Sequence, residues 1–495
     1  MDSKTTIIIV AIVAIIAIAA AAFFLTNNGG NNNGPSDDPG DNTQNASENL
    51  KNLTTKLDNL YNQSASYPAR LMILGNADLD DDIDNADVAA IEKLIKNGYT
   101  YTDSYFADAN YDGIIDSKDV AMVKEMIDHK NYKGKVNYLN CDYYIRTYDM
   151  GAPLYLANTL TQSLQIMMIL CPDKIVSTDD RCHKWKNIGT FYKEFESVLD
   201  YGDENNKDKM GSIGDRRTYT AEHILEVSRE YANGYLTAWL QSNRSNTYIE
   251  DGVAGTNTQI VRLPGWEKGA VVNGVLTAGY LFHAYDKAVE YTTWHDGIWN
   301  DIQNRIAKIP ESERKKVVVL TMGDTDNPQP TTYDMLYKSA GEYMDAMYSG
   351  CISVAEKYYK DKGLPESQYS VTLSAEDLIA LYQSYGYDLV VGTFPGPFNT
   401  TADGIDANYD ARHAVLDTAS GGKAKMLYYG WIYCTGPHYL GYIAMLCNAM
   451  YGWDLDLEKI TNDCLKMEGI YGTGEGQWTY DTLAPTLFYT EDYEF

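Results

Sequence analysis

Positive charge is scarce in this sequence of 495 residues, and no stretch of it concentrates basic side chains. Forty lysine and arginine residues stand against 69 aspartate and glutamate residues, so the formal net charge is −29 at pH 7. A surface of this sign repels phosphate backbones. The composition therefore argues against a nucleic-acid partner, and it favours divalent cations wherever carboxylates cluster.

Cysteine is also sparse, and no two cysteines form a CxxC pair. The seven cysteines are scattered at positions 141, 171, 182, 351, 434, 447 and 464. Such scattering excludes the ligand spacing of a zinc ribbon and excludes a dense disulfide framework. We expect buried structural cysteines, and their thiol or disulfide state stays open.

Charge is absent from residues 5–25, which form an unbroken apolar run. A helix of that length rises about 31 Å, close to the ~30 Å hydrocarbon thickness of a bilayer. Residues 1–25 therefore predict a transmembrane anchor, and the weak positive charge before the run predicts that the rest of the chain is extracellular. A cleaved signal peptide ending near Ala22 is the alternative. The next cysteine is Cys141, which excludes a lipid anchor beside the run.

Residues 26–66 read as a linker with one short helix. Residues 26–43 contain no aliphatic side chain and predict a flexible tether. Leu50, Leu53, Leu57 and Leu60 then recur at helical spacing, which predicts a short amphipathic helix. We expect this helix either to lie on the next module or to pair with a second copy of the chain.

Two copies of one acidic pattern begin at residues 76 and 108. Oxygen-bearing side chains recur at loop positions 1, 3, 5, 9 and 12, and a backbone carbonyl is expected at position 7. This alternation supplies the oxygen ligands that Ca²⁺ prefers, whereas a single Asp-rich turn would simply be solvated. The repeats predict two calcium sites in a module spanning residues 67–132. The predicted ligands are Asn76, Asp78, Asp80, Asp82, Asp84, Asp87, Asp108, Asn110, Asp112, Ile114, Asp116 and Asp119.

These repeats resemble a dockerin, because position 12 is aspartate and a helix follows each loop without preceding it. The resemblance implies two bound calcium ions and a cohesin-like partner module. Asp81 stands at the position where such loops usually carry glycine, so we expect the first site to be the weaker one. The positions that dockerins use for partner choice are here Asn85, Ala86, Ser117 and Lys118.

From about residue 135 the sequence alternates between short apolar runs and helical patterns, which predicts an α/β fold. The runs at 174–178, 259–263, 316–322 and 388–393 are typical of buried parallel strands. Residues 276–309 contain no proline and predict one long helix between two halves. The predicted domains are an N-terminal lobe over 135–275, a bridging helix over 276–309, and a C-terminal lobe with tail over 310–495.

Two helix starts in this region share one pattern, TAEHIL at 220–225 and SAEDLI at 374–379. Thr220 and Ser374 are suited to cap free backbone N–H groups, and Glu222 and Glu376 fall in the first turn. Taken alone, each glutamate is simply a good helix-start residue. Their matched place in both halves indicates a paired role.

The order of segments resembles the extracellular substrate-binding proteins of ABC importers for iron chelates, haem and cobalamin. The resemblance implies two Rossmann-like lobes bridged by a long helix, with Glu222 and Glu376 docking onto the permease dimer. Long tyrosine-rich insertions at 191–217 and 328–370 depart from that family. The segments that carry the resemblance are 157–180, 220–227, 286–291, 315–320, 374–393 and 424–460.

Ligand-binding side chains are expected at the carboxyl ends of the strands, where open α/β sheets bind ligands. Arginines there suit carboxylates, aromatic rings suit a flat macrocycle, and histidines suit iron. A lone histidine more often has a structural role. The candidates are Asp180, Arg181, His183, Trp266, Phe394, Phe398, Arg412, Trp431, Tyr433 and His438.

We therefore expect a membrane-tethered extracellular solute-binding protein, not an enzyme. It would capture an iron–siderophore, haem or corrinoid and deliver that metal chelate to an ABC permease. One alternative is a cell-surface adhesion or assembly protein that uses the dockerin-like module. An extracellular enzyme is another, although the sequence has no GxSxG, HExxH or P-loop pattern.

Overall fold

The computed structural model of the chain describes most of the residues after residue 38. The chain divides into Met1–Glu48 and Asn49–Phe495, and the second unit contains all three described sheets. Of the first unit, only residues 39–48 are described. The described residues are 39–63, 65–158, 161–178, 199–200, 224, 235–240, 248–265, 270–321, 332–338, 340–394, 402–474 and 477–495.

The leucine pattern near the N-terminus forms helix α1, Pro39–Asn62. Leu53 and Leu57 are buried. Lys56 Nζ donates to the carbonyl oxygen of Thr102 at 2.7 Å and lies 2.9 Å from the Asp103 carboxylate. Of the two predicted arrangements, the helix therefore adopts the one in which it lies on the next module.

Residues 67–132, here called the paired-loop module, carry the two acidic repeats. Their helices are α2 (Asn85–Asn97), α3 (Tyr101–Ser104) and α4 (Ser117–Met126). Asp84 and Asp116 begin α2 and α4 with complete capping boxes. Ile83 and Ile115, which precede these caps, are both buried, as their matched apolar positions predict.

The paired-loop module is not a separate body, which corrects the predicted domain division. A hairpin of β1 (Lys135–Leu139) and β2 (Ile145–Asp149) follows it, and Ile73 forms an antiparallel bridge to Tyr138. Module and hairpin share one apolar core with the α/β region. The sequence pattern did not reveal this, since it shows only that each loop helix has an apolar face.

The first sheet has five parallel strands, in the order β5-β4-β3-β6-β7. The runs predicted near 174–178 and 259–263 form β4 and β7. The elements of this lobe are β3 (Leu154–Asn158), α5 (Thr161–Leu170), β4 (Ile175–Thr178), β5 (Leu199–Asp200), β6 (Tyr235–Leu240), α6 (Tyr248–Gly252) and β7 (Gln259–Arg262).

The connection between the lobes is two helices, so the prediction of one helix over 276–309 is wrong. Helix α7 is Val271–Leu281 and helix α8 is Tyr285–Ile306. The chain turns between them at His283, whose φ is +55°. Both ring nitrogens of His283 lie 2.9 Å from carbonyl oxygens, those of His129 and Met150. The corner is therefore held by tertiary contacts, and no proline or glycine at this point of the sequence indicates a turn.

The second sheet has seven strands, in the order β11-β9-β8-β12-β13-β14, with β10 also paired to β8. Strands β8, β10, β12 and β13 run parallel, and β9, β11 and β14 join antiparallel. The strands are β8 (Lys316–Thr321), β9 (Thr332–Leu336), β10 (Ile352–Ser353), β11 (Ser370–Ser374), β12 (Leu389–Phe394), β13 (Lys425–Gly430) and β14 (Phe488–Tyr489).

Eight helices are described in this second lobe. One of them, α14, carries apolar side chains along most of its length. A 3₁₀ turn over Gly436–His438 precedes it. The helices are α9 (Gly341–Met347), α10 (Val354–Lys362), α11 (Ala375–Tyr385), α12 (Ala402–Ser420), α13 (Trp431–Cys434), α14 (Tyr439–Tyr451), α15 (Leu457–Met467) and α16 (Tyr480–Leu487).

The predicted α/β fold class is confirmed. Strands β3 to β7 all belong to one sheet and strands β8 to β14 to the other. The described chain therefore crosses between the sheets once, through α7 and α8. Among the described helices, none is both long and apolar enough to cross a membrane. The predicted anchor lies outside the described residues.

Candidate functional site

The first acidic loop turns its oxygens toward a common point. Asp87 is buried, and its carboxylate accepts hydrogen bonds from the backbone N–H groups of Ala77, Asp78 and Asp84 at 2.6, 3.2 and 2.8 Å. Asn76 is also buried; its Nδ2 donates to two carbonyl oxygens, and its Oδ1 has no partner. An unpartnered buried oxygen at loop position 1 is where a cation would bind.

Three carboxylates of this loop come together. Oxygens of Asp82, Asp84 and Asp87 all lie within 4.8 Å of one another, and Asp82 Oδ1 is buried without a hydrogen-bond partner. Asp82 was expected to offer only its backbone carbonyl, so its side chain adds an oxygen that the loop pattern did not assign.

The second loop follows the same plan. The Asp108 carboxylate accepts from the backbone N–H groups of Asp112 and Gly113 at 3.1 and 2.8 Å, and from the Tyr101 hydroxyl at 2.6 Å. Asp119 is buried and accepts from Asn110 and Asp116. Lys118 Nζ lies 3.2 Å from Asp112 and 3.4 Å from Asp116, but its side chain is 65% exposed and free to turn away.

The backbones of the two loops differ at one position. Loop position 4 is left-handed in both, at Leu79 with φ +67° and Tyr111 with φ +56°. At position 6 only the second loop is left-handed, through Gly113 with φ +87°, and Asp81 does not share that conformation. The Asp81 side chain instead lies 3.2 Å from Arg70. The glycine substitution is therefore accommodated by a different local backbone.

Burial raises the pKa of several loop carboxyls. The pKa of Asp87 and that of Asp119 are each raised to about 7, and the pKa of Asp108 to about 6, in each case mainly because the group is buried. Backbone N–H donors oppose this shift and neighbouring carboxylates add to it. A divalent cation among these groups would favour their charged form. The residues present fit calcium, which when bound would supply the positive charge.

The first acidic loop is packed against the connecting helices. The Tyr285 hydroxyl, at the start of α8, donates to the Asp81 carbonyl oxygen. Arg70 bridges the loop to α8, since it also lies 2.9 Å from Asp296. Tyr280 and Thr277 of α7 bond the backbone of Met126 and Met72. Order in the loop is thus coupled to the helices that join the two lobes.

Of the predicted docking pair, Glu376 is described and Glu222 lies outside the described residues. Ser374 caps helix α11, accepting from the Asp377 N–H at 3.1 Å while the Asp377 carboxylate accepts from the Ser374 N–H at 2.9 Å. Glu376 is exposed in the first turn of α11, as the sequence predicts. Its side chain is open to a partner surface.

Most of the predicted ligand-binding side chains lie outside the described residues. Phe394 and Trp431 are placed by backbone only, at the end of β12 and the start of α13. The other such candidates are Asp180, Arg181, His183, Trp266 and Phe398.

Arg412 is described and is buried in the second lobe. It is 3% exposed, its Nε donates to Asn408 Oδ1 at 2.9 Å, and its guanidinium lies over the Tyr333 ring. A role of Arg412 in binding a carboxylate of the solute stays a prediction.

Tyr433 and His438 are brought together, as a buried pair. Their ring centroids lie 4.3 Å apart in an edge-to-face arrangement, and both residues are almost fully buried. Cys464 and Glu468 join His438 in one cluster. Sequence reasoning missed Glu468 and took Cys464 as structural, although their spacing of four within one helical pattern was a readable signal.

Burial raises the pKa of the Cys464 thiol well above its usual range, and the nearby carboxylate of Glu468 raises it further. His438 and Cys464 line one narrow crevice together with Trp294, Tyr429, Tyr433, Ile460 and Leu487, among others. All three side chains of the cluster are almost fully buried.

Several solved structures resemble this chain at low identity. A TroA-like periplasmic binding protein FepB from Veillonella parvula is 12% identical, with a TM-score of 0.49 over 72% of this chain and 99% of that one. A periplasmic heme binding protein from Pseudomonas aeruginosa is 13% identical, with a TM-score of 0.40 over 61% and 93%. An ABC-type Fe³⁺-hydroxamate transport system protein from Saccharomonospora viridis is 13% identical, with a TM-score of 0.41 over 64% and 99%.

No family model matches the chain, and no curated protein matches it.

Proposed function

We propose that this protein is an extracellular solute-binding protein, tethered by its N-terminal apolar segment, that captures a metal chelate and delivers it to an ABC permease. The chelate classes are iron–siderophores, haem and corrinoids. Support comes from the order of sequence segments together with the architecture that those segments adopt.

The observation that carries the proposal is the single crossing between two α/β sheets. Among the described strands, β3 to β7 lie before α7 and belong to one sheet, β8 to β14 lie after α8 and belong to another, and β1 and β2 form a separate hairpin. Ligands of open α/β sheets bind beyond the carboxyl ends of the strands. We therefore expect a small solute to bind near the carboxyl ends of the parallel strands of these two sheets.

The exposed glutamate on α11 supports delivery to a partner. Glu376 has a capped, well-ordered helix start beneath it and presents its carboxylate to solvent. An exposed charge of this kind contributes little to folding stability but steers and registers an oppositely charged partner. We propose Glu222 as its counterpart on the first lobe, from the matched sequence pattern.

We also propose that the paired-loop module binds two calcium ions, the first more weakly. The buried carboxylates and the unpartnered oxygens of Asn76 and Asp82 support this. Calcium would neutralise the buried carboxylates of Asp87, Asp108 and Asp119, and the contacts of Asp81 with Tyr285 and Arg70 would pass the added order to α8.

An assembly function is a second candidate, favoured by one observation. Asn85, Ala86, Ser117 and Lys118, the positions that a dockerin would use for partner choice, are all exposed. A cohesin-like module could therefore reach them. In that case the binding of a protein partner would depend on calcium, and no chelate would bind the lobes.

A thermal-shift screen of the full chain tests the solute proposal. Haem, cobinamide, cobalamin and a panel of ferric siderophores are added singly, in the presence of calcium. A specific ligand at a hundredfold excess over its Kd stabilises the folded state by about 2.7 kcal/mol, which raises the melting temperature by several degrees.

Metal-free protoporphyrin and iron-free siderophores are the matched control ligands, since they keep the organic framework and lack the metal centre. Recognition of the chelate predicts a saturable shift with the metal-bound compound that is larger than the shift with its control. If no compound of these classes raises the melting temperature, the solute proposal fails.

A further inference from the structure

Three buried side chains of the second lobe form a group outside the calcium loops, and only His438 among them is a candidate for the solute site. His438, Cys464 and Glu468 are 4%, 1% and 1% exposed. One ring nitrogen, the thiol sulfur and one carboxylate oxygen all lie within 4.8 Å of one another. Nitrogen, sulfur and oxygen donors at this spacing are the ligand types of a transition-metal site.

The carboxylate of Glu468 lacks the partners that its burial requires. Neither of its oxygens accepts a hydrogen bond from any residue that the structure describes. His438 Nε2 lies 3.0 Å from Glu468 Oε2, an ion-pair distance, yet the two atoms are not aligned for a hydrogen bond and Nε2 has no other partner. A buried carboxylate without hydrogen bonds or a bound cation is costly, which makes a missing positive charge the simplest account.

The separation of these atoms suits two ligands of one ion. Zinc binds histidine nitrogen and carboxylate oxygen at about 2.0–2.2 Å and thiolate sulfur at about 2.3 Å in a tetrahedral arrangement. Two such oxygen and nitrogen ligands are then ~3.3 Å apart, close to the 3.0 Å between His438 Nε2 and Glu468 Oε2. A direct hydrogen bond would instead need the ring N–H to point at the carboxylate.

Two short segments place the three donors. Cys464 and Glu468 are four residues apart, Cys464 in α15 and Glu468 as the residue that caps it, so they face the same way. His438 ends the 3₁₀ turn over Gly436–His438. The Pro437 carbonyl oxygen in that turn accepts from the Tyr291 hydroxyl of α8 at 3.0 Å and lies 3.7 Å from Cys464 Sγ.

We infer that His438, Cys464 and Glu468 form a binding site for one borderline-soft divalent metal ion of the zinc class. The thiol disfavours calcium and magnesium, which prefer oxygen ligands alone. Among the described residues, no fourth His, Cys, Asp or Glu belongs to the group, so the remaining coordination position falls to a water molecule or another donor. Binding would release the thiol proton to the solvent.

Such an ion would act as a brace for the second lobe. It would tie α15 to the 3₁₀ turn. Thr435, the residue before that turn, contacts the first lobe, since Gln162 Nε2 of α5 donates to Thr435 Oγ1 at 2.9 Å. The inference is independent of the solute that the lobes capture, and it stands or falls separately from the proposed transport role.

Cobalt is the probe that tests the site, because a thiolate bound to Co²⁺ gives a charge-transfer absorption band that oxygen ligands do not give. The full chain is stripped with a chelator, supplied with excess calcium to occupy the acidic loops, and titrated with Co²⁺ and then Zn²⁺. We expect one equivalent of Co²⁺ to produce the thiolate band, and Zn²⁺ to remove it.

Three variants assign the band. Cys464→Ser should abolish it, and Glu468→Gln should keep the band while weakening Co²⁺ affinity by at least about tenfold. Cys447→Ser is the matched control, because Cys447 is likewise buried but lies in α14 outside the cluster. That variant should leave both the band and the affinity unchanged.

Absence of the thiolate band in the wild-type chain overturns the inference. So does a band that persists in Cys464→Ser, which would assign it to another cysteine. If Cys464→Ser does not fold, as judged by circular dichroism, the Glu468→Gln titration decides: an unchanged Co²⁺ affinity there overturns the site, and a tenfold loss supports it.

Discussion

At the scale of single residues, the buried ionisable groups carry most of the functional argument. Three buried carboxylates accept hydrogen bonds from backbone N–H groups, namely those of Asp87, Asp108 and Asp119. The Glu468 carboxylate accepts no hydrogen bond from the described residues. Both situations favour a cation, and the chemistry of the neighbours separates the two kinds of ion. Oxygen neighbours suit calcium, and a thiol with an imidazole suits a softer metal.

Calcium should stabilise the chain through these carboxylates. We expect calcium to raise the melting temperature of the full chain relative to EDTA. Asp119→Asn should remove most of that increase, and Asp87→Asn should remove less, because the first site is expected to be weaker. Glu92→Gln is the control, since Glu92 is an exposed residue of α2 outside the loops. Equal melting temperatures in calcium and in EDTA would refute the calcium proposal.

A buried histidine predicts a distinct pH effect. His295 of α8 is 5% exposed, with Nδ1 2.9 Å from Asp296 Oδ1 and Nε2 2.6 Å from the Tyr439 hydroxyl. This geometry fits a neutral ring that donates from Nδ1 and accepts at Nε2. Burial lowers the pKa of His295 below its usual value, and the Asp296 carboxylate opposes part of that shift.

The direction of this pH effect on the free energy of unfolding follows from proton linkage. Because the folded pKa of His295 lies below the unfolded value, the unfolded chain binds more protons once the pH falls below about 6.5, and the free energy of unfolding decreases. His295→Gln cannot take up that proton. The difference in free energy of unfolding between wild type and variant should therefore shrink between about pH 8 and about pH 5, measured by urea titration. A difference that stays constant over this range would show that His295 does not titrate on unfolding.

At the scale of elements, the sequence predicted those strands and helices whose signal is local. The valine and isoleucine runs became β7, β8 and β12, and Ser374 caps α11 where expected. The central strand β3 and its neighbour β6 were missed, because LYLAN and YLTAWL mix aromatic, alanine and polar residues without a clear run. Strand pairing supplied what the local pattern lacked.

The tyrosine-rich insertion at 328–370 also forms elements that the local sequence pattern did not predict. It was expected to enlarge the chain, and it contributes β9, α9, β10, α10 and the first residue of β11 to the second lobe. Tyr337 and Tyr359 pack with their ring centroids 4.1 Å apart in the core. Likewise nothing local marks the turn at His283, since it is fixed by carbonyl groups distant in sequence.

Close packing between the connecting helices gives a prediction at this scale. Gly279 of α7 faces α8 so tightly that an added Cβ would meet the Cβ of Ala288. Gly279→Ala should therefore reduce the free energy of unfolding by about 1–3 kcal/mol, because α7 and α8 must separate. Equilibrium unfolding in urea measures the change.

Gly297 provides the matched control on α8. It is exposed, and an added Cβ there would meet nothing within 4 Å. Gly297→Ala should stabilise the protein by about 0.5–1 kcal/mol, because alanine is the better helix former and restricts the unfolded chain. If Gly279→Ala proved as stabilising as Gly297→Ala, the inference that the two helices approach closely at Gly279 would be wrong.

At the scale of the whole molecule, the single crossing and the pinned corner restrict how the lobes can move. Helix α8 contacts the paired-loop module and the second lobe: Tyr285 bonds the first acidic loop, and Gln303 Nε2 donates to the Tyr348 carbonyl oxygen at 2.9 Å. The corner between α7 and α8 is held by the contacts of both His283 ring nitrogens with carbonyl oxygens. Solute binding should therefore change the radius of gyration only slightly in small-angle scattering, and a large hinge rotation would contradict this view.

Delivery to a permease is the central claim, and uptake by cells that carry a charge-reversed docking pair tests it most directly. The variant Glu222→Arg with Glu376→Arg replaces both proposed docking charges. Glu458→Arg is the control, because Glu458 is another exposed acidic residue in the first turn of a helix in the same lobe. Chelate binding by the purified chains is measured in parallel with cellular chelate uptake.

We expect the double variant to bind its chelate as tightly as wild type while uptake falls to the level of cells lacking the protein, and we expect Glu458→Arg to leave both unchanged. Uptake that survives the double reversal at the wild-type rate would contradict this expectation.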